Sequence, residues 1–282
     1  MPGTLFVIAT PIGNLEDITA RSLRVLREVA VIAAEDTRRT AHLLARYTIS
    51  TPTTSFHQHN ESTKTAALLA RLIRGDDIAL VSDAGTPAIS DPGQRLVRAA
   101  IDAGFRVESV PGPSAVTAAL AVSGLPSDTF TFLGFPPTRA SDRDKWFESL
   151  RTAGQTVVFF EAPHRIRGTL EQLRLSLGDL RIVICREMTK AHEELVNGPI
   201  SSALNRLTEP KGEFTVVIDI GQTTNIAPIE PVSGSDLFHE FCYMTITSRL
   251  PRRQALATLA RRHRRSLNDV YAAIERAKKL VE

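Results

Sequence analysis

The chain has 282 residues, which corresponds to about two domains at roughly 100–200 residues per domain, and its hydrophobic share of 43% excludes a disordered chain. Two cysteines, Cys185 and Cys242, can form neither a disulfide framework nor a four-cysteine zinc site, and no apolar run approaches the ~20 residues that span a bilayer. The net charge is only +3 and the N-terminus has no basic leader, so we expect a soluble cytoplasmic protein.

Strands and helices alternate through residue 124. The predicted strands are Leu5–Ala9, Val31–Ala34, Ile78–Val81 and Arg106–Val110. The predicted helices are Ile18–Ala30, Thr40–Tyr47, Thr63–Arg74, Gln94–Ala103 and Ser114–Val122. This alternation is typical of a mostly parallel sheet that is covered by helices on both faces.

A turn-rich segment at Gly124–Asp128 predicts a domain boundary, after which a second α/β pattern begins. Its predicted strands are Phe130–Leu133, Thr156–Phe160, Ile182–Cys185, Glu194–Val196 and Phe214–Ile220. Its predicted helices are Asp142–Thr152, His164–Leu177 and Ile200–Leu207, with Trp146 and Phe147 in the core. Residues 221–235 are rich in Gln, Thr, Pro and Ser and are typical of a linker.

Three short helices are predicted in the tail. One runs from Arg252 to Arg262, and the last begins after Ser266 as N-cap. The short connection resembles a helix-turn-helix, although His263-Arg264-Arg265 supplies no glycine for the turn. We therefore predict three domains in an α/β protein: residues 1–124, residues 125–222, and a basic helical domain at 235–282.

Positive charge is concentrated in that tail. Residues 249–282 contain ten Lys or Arg and three acidic residues, a net charge of +7, whereas the remaining chain carries −4. A dense basic patch attracts polyanions over the screening length, which favours contact with a nucleic acid. The alternative is a solvated helical face.

Three loops that contain proline and glycine follow predicted strands of the first half. They are Thr10–Asn14 (TPIGN), Asp83–Pro87 (DAGTP) and Pro111–Ala115 (PGPSA). Ligands bind at the carboxyl ends of strands in open α/β sheets, and glycine lets the backbone approach a ligand closely. The loops contain no dinucleotide-binding or Walker motif, so binding of an ordinary dinucleotide or of ATP is not indicated, and Ser114 lacks the nucleophile-elbow motif of hydrolases.

Four of the longer motifs identify a family. The segments Val7–Thr19, Ala34–Arg38, Leu80–Asp91 (LVSDAGTPAISD) and Pro111–Ala119 resemble the ribosomal RNA small subunit methyltransferase I family of the tetrapyrrole methylase superfamily. Shorter stretches that are similar to the family's are Ser123–Pro126, Phe160–Arg165, Arg186–Lys190 and Lys211–Phe214. The similarity is close from residue 4 to about residue 220 and looser in the tail.

The resemblance implies S-adenosylmethionine bound in a cleft between two α/β domains of a homodimer. It implies methyl transfer to the ribose 2′-hydroxyl of a cytidine in 16S ribosomal RNA near the decoding centre. Matching motifs place eight residues against the cofactor: Pro11, Asp83, Thr86, Ser114, Ala115, Phe160, Met188 and Gly212. The alternative role for Asp83 is to cap its own turn.

A ribose hydroxyl is a poor nucleophile while protonated, so a nearby base or charge stabiliser is expected. The candidates in the matched motifs are Glu161, Glu187, Lys190 and Glu213, each of which has the alternative role of a salt bridge or RNA anchor. Glu35–Arg39 is a further candidate for RNA or substrate contact, with a helix start as the alternative. His57-Gln58-His59 is interpreted as a polar strand end, with RNA contact as the main alternative, and no metal site is expected.

Two other functions stay open at this point. A small-molecule methyltransferase that acts on a tetrapyrrole-like compound would share the fold, but it gives no reason for the basic tail. A non-catalytic RNA-binding protein would share the tail, but it would not need three intact ligand loops.

Overall fold

The computed structural model describes residues 1–207, 211–221, 234–247, 251–262 and 267–278. The chain divides into two compact units, Met1–Thr223 and Thr224–Glu282. The first unit contains both α/β halves, so the boundary predicted at residues 124 and 125 lies inside it and stays a prediction of separate domains. Within the described parts of the chain, no helix combines the length and apolar character that crossing a membrane requires.

A parallel five-stranded sheet forms the first half. Its strands are β1 (Thr4–Ile8), β2 (Val31–Ala34), β3 (Thr53–Ser55), β4 (Ile78–Val81) and β5 (Arg106–Val110), in the order β3-β2-β4-β1-β5. The central strands β2 and β4 are buried along their whole length, which agrees with the predicted sheet covered on both faces. Only β3 was not predicted, because it is a three-residue edge strand of Thr-Thr-Ser.

The two faces of this sheet carry separate cores because strand side chains alternate. Ile32 and Val81 pack on one face with helices α1 (Ala20–Glu28) and α2 (Thr37–Arg46). The other face is covered by α3 (Glu61–Ile73) and α4 (Gln94–Asp102), around side chains that include Leu5, Val31, Leu72, Leu80 and Leu96. The fifth helix of this half is α5 (Ala115–Ser123).

The second sheet is mostly antiparallel. Its strands are β6 (Phe130–Phe132), β7 (Thr156–Glu161), β8 (Arg181–Arg186), β9 (Glu194–Pro199) and β10 (Phe214–Asp219), in the order β6-β7-β10-β8-β9. Only the β6–β7 pair is parallel. The helices of this half are α6 (Ala140–Arg151), α7 (Ile166–Leu177) and α8 (Ile200–Arg206). The elements of this half agree with the predicted strands and helices to within two residues at each end, except that β9 extends three residues beyond the predicted end at Val196.

The two faces of the second sheet are covered by different helices. One face packs against Trp146 and Phe147 of α6 together with side chains of α7 and α8, which confirms that both aromatic residues belong to the core. The other face packs against α5 through Val116, Ala119 and Leu120. Helix α5 therefore starts at a loop of the first sheet and is buried against the second, which brings the loops of both sheets to a common edge.

The second compact unit is helical where it is described. It contains α9 (Gly234–Cys242), a π-helical turn (Tyr243–Thr247), α10 (Arg252–Arg262) and α11 (Leu267–Lys278). Apolar side chains from these segments form its core: Leu237, Phe241, Met244, Ala255, Leu259, Val270, Ala273 and Ile274. The predicted bounds of α10 match the observed helix, whereas the Ser266 cap, the turn 263–265 and most of the linker lie outside the described residues.

Candidate active site

Two of the three loops that follow strands of the first sheet are joined by a short antiparallel bridge. The N–H of Thr10 donates to the carbonyl of Gly85 at 2.8 Å, and the N–H of Gly85 donates to the carbonyl of Thr10 at 2.9 Å. Gly85 has a φ of +76°, which side chains disfavour. The third loop lies close by, because a Cβ atom at Gly112 would be 3.1 Å from the Cβ of Ala9. The loops thus form one continuous wall.

This wall closes one side of a cavity of about 430 Å³, a size within the roughly 300–1,000 Å³ range of small-molecule sites. The other side comes from the second sheet. The first-sheet half supplies Ile12, Glu35, Arg39, Asp83, Ala84, Gly85, Thr86, Ile89, Ser90, Asp91, Ser114, Ala115 and Val116. The second-sheet half supplies Phe135, Phe160, Glu161, Ala162, Pro163, Cys185, Met188, Glu213, Phe214 and Thr215.

Strained backbone occurs on both sides of the cavity. Ala88 and Ser90 have φ values of +68° and +61°, and Glu187 and Thr189 have values of +50° and +63°. Left-handed conformations at residues other than glycine cost free energy and are concentrated at ligand sites. One of these turns carries Ile89 and the other carries Met188, and both side chains line the cavity.

Carboxylates make the first-sheet side of the cavity acidic. The N–H of Asp36 donates to Oδ1 of Asp83 at 3.0 Å, and the N–H of Asp83 donates to Oε2 of Glu35 at 3.3 Å. Burial, followed by the negative charge of Glu35, raises the pKa of Asp91 to about 6. Burial is also the main reason why the pKa of Glu35 is raised. These carboxylates repel one another, and a cationic ligand would relieve that repulsion.

The cationic contribution to the lining is small. Among the described residues around the cavity, Arg39 is the only Lys or Arg, against the five carboxylates of Glu35, Asp83, Asp91, Glu161 and Glu213. Its Nη1 atom lies 3.5 Å from Oδ2 of Asp83, and its side chain is mostly exposed. The cavity therefore favours a ligand with net positive charge.

The turn that carries Met188 is fixed to the first loop. The N–H of Asn14 donates to Oγ1 of Thr189 at 2.9 Å. A Cβ atom at Gly13 would lie 2.7 Å from the carbonyl oxygen of Met188 and 2.6 Å from Cγ of Lys190, so only glycine allows this approach. The two halves of the first unit are thereby held at a fixed separation across the cavity.

The predicted cofactor residues lie in or beside this cavity. Six of them line it: Asp83, Thr86, Ser114, Ala115, Phe160 and Met188. Pro11 instead lines an adjoining pocket of about 60 Å³, together with Asp83 and Arg39. Gly212 is not among the lining residues of either pocket, and its Cβ position is only 2.5 Å from the Glu187 carboxyl group. Their contact with a cofactor stays a prediction.

Glu161 is held by the protein itself. Its carboxylate accepts hydrogen bonds from the Thr169 hydroxyl and the Ala162 N–H, and Nε of Arg165 lies 3.4 Å away. The side chain is fully buried. This arrangement agrees with the structural alternative, a salt bridge that organises the start of α7.

The other three catalytic candidates form one ion-pair cluster. Nζ of Lys190 lies 3.0 Å from Oε1 of Glu187 and 3.1 Å from Oε2 of Glu213. The Glu213 N–H also donates to Oε1 of Glu187 at 2.9 Å, and these contacts, the backbone N–H first, hold the pKa of Glu187 below its usual value. Of the three, only Glu213 lines the cavity.

Comparison with known proteins is consistent with this geometry. Residues 4–204 match the family model of tetrapyrrole (corrin/porphyrin) methylases. The ribosomal RNA small subunit methyltransferase I of Xylella fastidiosa is 48% identical over 222 residues, which cover 77% of this chain and 81% of that protein. The protein of the same name from Vibrio cholerae is 40% identical over 276 residues, which cover 95% of this chain and 92% of that protein.

The chain belongs to the ribosomal RNA small subunit methyltransferase I family. Tetrapyrrole methylases are methyltransferases that use S-adenosylmethionine, and this chain is such an enzyme. A solved structure of a cobalt precorrin-4 methyltransferase matches this chain with a TM-score of 0.58 and 18% sequence identity. The match covers 79% of this chain and 96% of the methyltransferase chain. That likeness confirms the predicted fold class.

Two features of the methyltransferase cavity were not predicted from the sequence, the carboxyl group of Asp91 and the aromatic ring of Phe135. Asp91 ends the LVSDAGTPAISD motif, so its place in a matched segment was the available signal. Phe135 lies in no matched motif. Glu35 and Arg39, in contrast, come from the segment that was singled out for RNA or substrate contact.

Arg186, from the matched stretch Arg186–Lys190, and the histidines that follow β3 lie away from the cavity lining. Arg186 is occupied by the protein, because its Nε donates to the Lys211 carbonyl at 2.7 Å and its Nη1 lies 3.2 Å from Glu194. His57 and His59 follow β3 with ring centroids 6.0 Å apart. Among the residues that the structure describes, no group of His, Cys, Asp and Glu is suited to hold a metal ion.

Proposed function

We propose that the enzyme methylates the ribose 2′-hydroxyl of a cytidine in small-subunit ribosomal RNA near the decoding centre. The observation that carries this proposal is the acidic cavity between the loops of the two sheets, in a chain that is 40–48% identical to proteins named ribosomal RNA small subunit methyltransferase I. We also propose that it acts in the cytoplasm as a homodimer, on RNA in the small ribosomal subunit.

The cavity suits S-adenosylmethionine on chemical grounds. This cofactor, when bound, supplies a methyl group on a positively charged sulfonium. Glu35, Asp83 and Asp91 would face that charge, and the loops at Gly85 and Ser114 offer backbone close to the ligand. Phe160 and Met188 would cover the apolar parts of the cofactor and exclude water from the second-sheet side.

The residues around the cavity would raise the rate mainly by fixing geometry. A methyl acceptor must approach in line with the leaving group, and holding reactants in that arrangement can supply a large part of the rate enhancement. The Thr10–Gly85 bridge and the Asn14–Thr189 hydrogen bond keep both sides of the cavity rigid. The acceptor hydroxyl would therefore meet a preformed site.

Of the four catalytic candidates, Glu213 is the one that we propose contacts the hydroxyl group of the methyl acceptor. Its side chain lines the cavity and is largely exposed, so a substrate can reach it. Oε2 is held by Lys190 at 3.1 Å, which fixes the orientation of the carboxylate. The carboxylate would accept a hydrogen bond from the 2′-hydroxyl and take its proton as the oxygen becomes methylated.

The helical tail is assigned to the RNA. Residues 249–282 carry a net charge of +7, and Arg252 and Arg253 are exposed where the structure describes them. Neutralising phosphates with basic side chains dominates the affinity of proteins for RNA and makes it salt-dependent. A tetrapyrrole-like substrate would give no role to this charge.

Mapping of ribose methylation tests the proposal. Small-subunit RNA is isolated from cells with and without the gene. It is also isolated from subunits of the deletion strain that were treated with purified protein and S-adenosylmethionine. We expect one cytidine to lose its 2′-O-methyl group in the deletion strain and to regain it in vitro. An unchanged methylation pattern, or methyl transfer to a porphyrin-like compound in place of RNA, would overturn the proposal.

A further inference from the structure

Two large apolar side chains at the cavity are unusually exposed. Phe135 is 54% exposed and Ile89 is 49% exposed, and both line the cavity. Scattered apolar residues on a surface need no explanation, but these two lie at one ligand site. The Phe135 ring also packs at a tilt on Phe160, with ring centroids 5.4 Å apart. One part of the aromatic surface is therefore supported by protein and the rest is open.

The Phe135 segment has a fixed backbone. The N–H of Phe160 donates to the carbonyl of Gly134 at 2.8 Å, immediately before Phe135. On the other side, Nη2 of Arg165 donates to the carbonyl of Pro136 at 2.6 Å. A rigid exposed ring loses little conformational entropy when it binds a planar partner, so the cost of binding is low.

The two exposed side chains come from segments in direct contact. A Cβ atom at Gly134 would lie 3.1 Å from Oγ of Ser90, so the residue before Phe135 touches the residue after Ile89. Ser90 belongs to the strained turn of the first-sheet half, whereas Gly134 follows β6 of the second. Phe135 and Ile89 thus come from neighbouring segments of the two halves, and both line the cavity.

Arg39 supplies a charge that is opposite to that of the rest of the lining. The adjacent Arg38 is held by Asp36, with Nη2 2.8 Å from Oδ2 and Nε 3.1 Å from Oδ1. Arg39, in contrast, has only the longer 3.5 Å approach to Asp83, and its side chain is 65% exposed. An anion would find no other Lys or Arg among the described residues of the cavity lining.

We propose that Phe135, Ile89 and Arg39 form a nucleotide subsite of the enzyme, in which a base of the RNA substrate stacks on Phe135 against Ile89 and a neighbouring phosphate binds Arg39. The assignment rests on the proposed action on RNA. Single-stranded RNA is recognised by stacking of its bases on aromatic side chains together with contacts of its phosphates to cations. The carboxylates in the rest of the cavity would repel the phosphates, so the RNA would not enter the part of the cavity that binds the cofactor.

The two interactions have different signatures, which makes the assignment testable. Stacking is insensitive to salt, whereas one phosphate contact contributes about 0.7 to the slope of log K against log salt concentration for single strands. Phe135→Ala should therefore lower kcat/KM for RNA about tenfold with an unchanged slope. Arg39→Ala should lower kcat/KM by a similar factor and reduce the slope by about 0.7.

The assay uses the full chain and small ribosomal subunits from cells that lack the gene. Methyl transfer gives kcat/KM, subunit binding between 50 and 200 mM KCl gives the slope, and calorimetry gives the affinity for S-adenosylmethionine. Phe135→Tyr and Arg39→Lys should restore most of the loss, because they keep the ring and the charge. Leu175→Ala and Arg98→Ala are the matched controls, since both side chains are exposed and lie outside the cavity lining.

Several results would overturn the subsite. If Phe135→Ala and Arg39→Ala behave like the two controls while the wild type methylates RNA, the subsite is wrong and the proposed function is unaffected. Weaker binding of S-adenosylmethionine in either variant would assign that residue to the cofactor, and a changed oligomeric state of Phe135→Ala would assign the ring to contact with a second copy. A wild-type protein without activity on RNA would overturn the function and the subsite together.

Discussion

The hydroxyl oxygen of Thr189 accepts a hydrogen bond from the backbone N–H of Asn14 at 2.9 Å, across 175 positions of sequence. Asn14 belongs to the first loop of the parallel sheet, and Thr189 belongs to the strained turn of the second sheet. Since Met188 lines the cavity beside Thr189, this bond and the close approach at Gly13 connect the second-sheet wall of the cavity to the first loop.

Removing that bond should weaken cofactor binding. Thr189→Val keeps the shape of the side chain and loses the acceptor, so the Asn14 N–H is left without its partner. A hydrogen bond of this kind contributes about 1 kcal/mol, and we expect roughly fivefold weaker binding of S-adenosylmethionine by calorimetry. Thr189→Ser should bind like the wild type.

Thr152→Val is the control for this change. Its hydroxyl also bonds within the protein, to the Ser149 carbonyl at 3.1 Å, but it lies at the end of α6 away from the cavity lining. Equal affinities of Thr189→Val and Thr152→Val for the cofactor would show that the bond between the two halves does not shape the pocket.

Cofactor binding should release protons because of the acidic wall. In the free protein, burial and the charge of Glu35 raise the pKa of Asp91 to about 6, and a bound cation would lower that pKa again. Between about pH 4 and pH 6 the free protein holds a proton that the complex gives up. The affinity for S-adenosylmethionine should therefore increase as the pH rises through this range and become constant above it.

Calorimetry in buffers of different ionisation enthalpy measures the released protons directly. Asp91→Asn should abolish most of the release near pH 5.5, and the pH dependence of its affinity should be flatter. Proton uptake on binding, or release that is unaltered in Asp91→Asn, would contradict the assignment of positive charge to this wall.

The same carboxyl group should lower the stability of the free protein near neutral pH. The folded-state pKa of about 6 exceeds the ordinary value of 3.8, so the folded state binds the proton more tightly than the unfolded state does. Stability is lost as the pH rises from about 4 to about 6, because ionisation is then costlier in the folded protein. The wild type should therefore lose melting temperature relative to Asp91→Asn as the pH rises from 4 to 7. A difference in melting temperature that does not change with pH would contradict this prediction.

Sequence patterns located the loops better than the side chains. The three loops could be predicted because proline and glycine follow short apolar strands, and strand ends of a parallel sheet meet at one edge. Glu161 is the last residue of the apolar strand β7 in the second sheet, and its carboxylate is directed to Thr169 and Arg165. A motif gives the position of a residue along the chain, but the partner of its side chain depends on packing between distant segments.

The missed residues have the same physical explanation. Asp91 lies eight residues after Asp83 and still lines the same cavity, and the segment between them contains the strained residues Ala88 and Ser90. Phe135 is a lone aromatic residue in a Gly-Phe-Pro-Pro segment, a pattern that by itself predicts a turn. Its importance depends on exposure beside a cavity, which no local pattern encodes.

Glu213 is expected to affect catalysis and not cofactor affinity. Glu213→Gln keeps the size of the side chain and removes the charge that would accept the hydroxyl proton, so kcat should fall about a hundredfold, as for loss of a general base. Binding of S-adenosylmethionine should stay within twofold of the wild type. Glu194→Gln is the control, since Glu194 is also paired with a cation at a strand end and lies outside the cavity lining. A similar kcat for the two variants would remove Glu213 from the reaction.

Glu61 should hold the turn that carries Ile89 and Asp91. Its buried carboxylate accepts from the N–H of Gly93 at 3.1 Å and of Arg95 at 3.3 Å, at the start of α4. Glu61→Ala removes this cap, so we expect a loss of about 1 kcal/mol of stability together with weaker cofactor binding, whereas Glu61→Gln retains an acceptor and should lose less. Urea unfolding and calorimetry measure both quantities, with the exposed Glu148→Ala as control. Lower stability with unchanged cofactor affinity would show that the turn keeps its shape without Glu61, because its strained residues are then fixed by the surrounding loops alone.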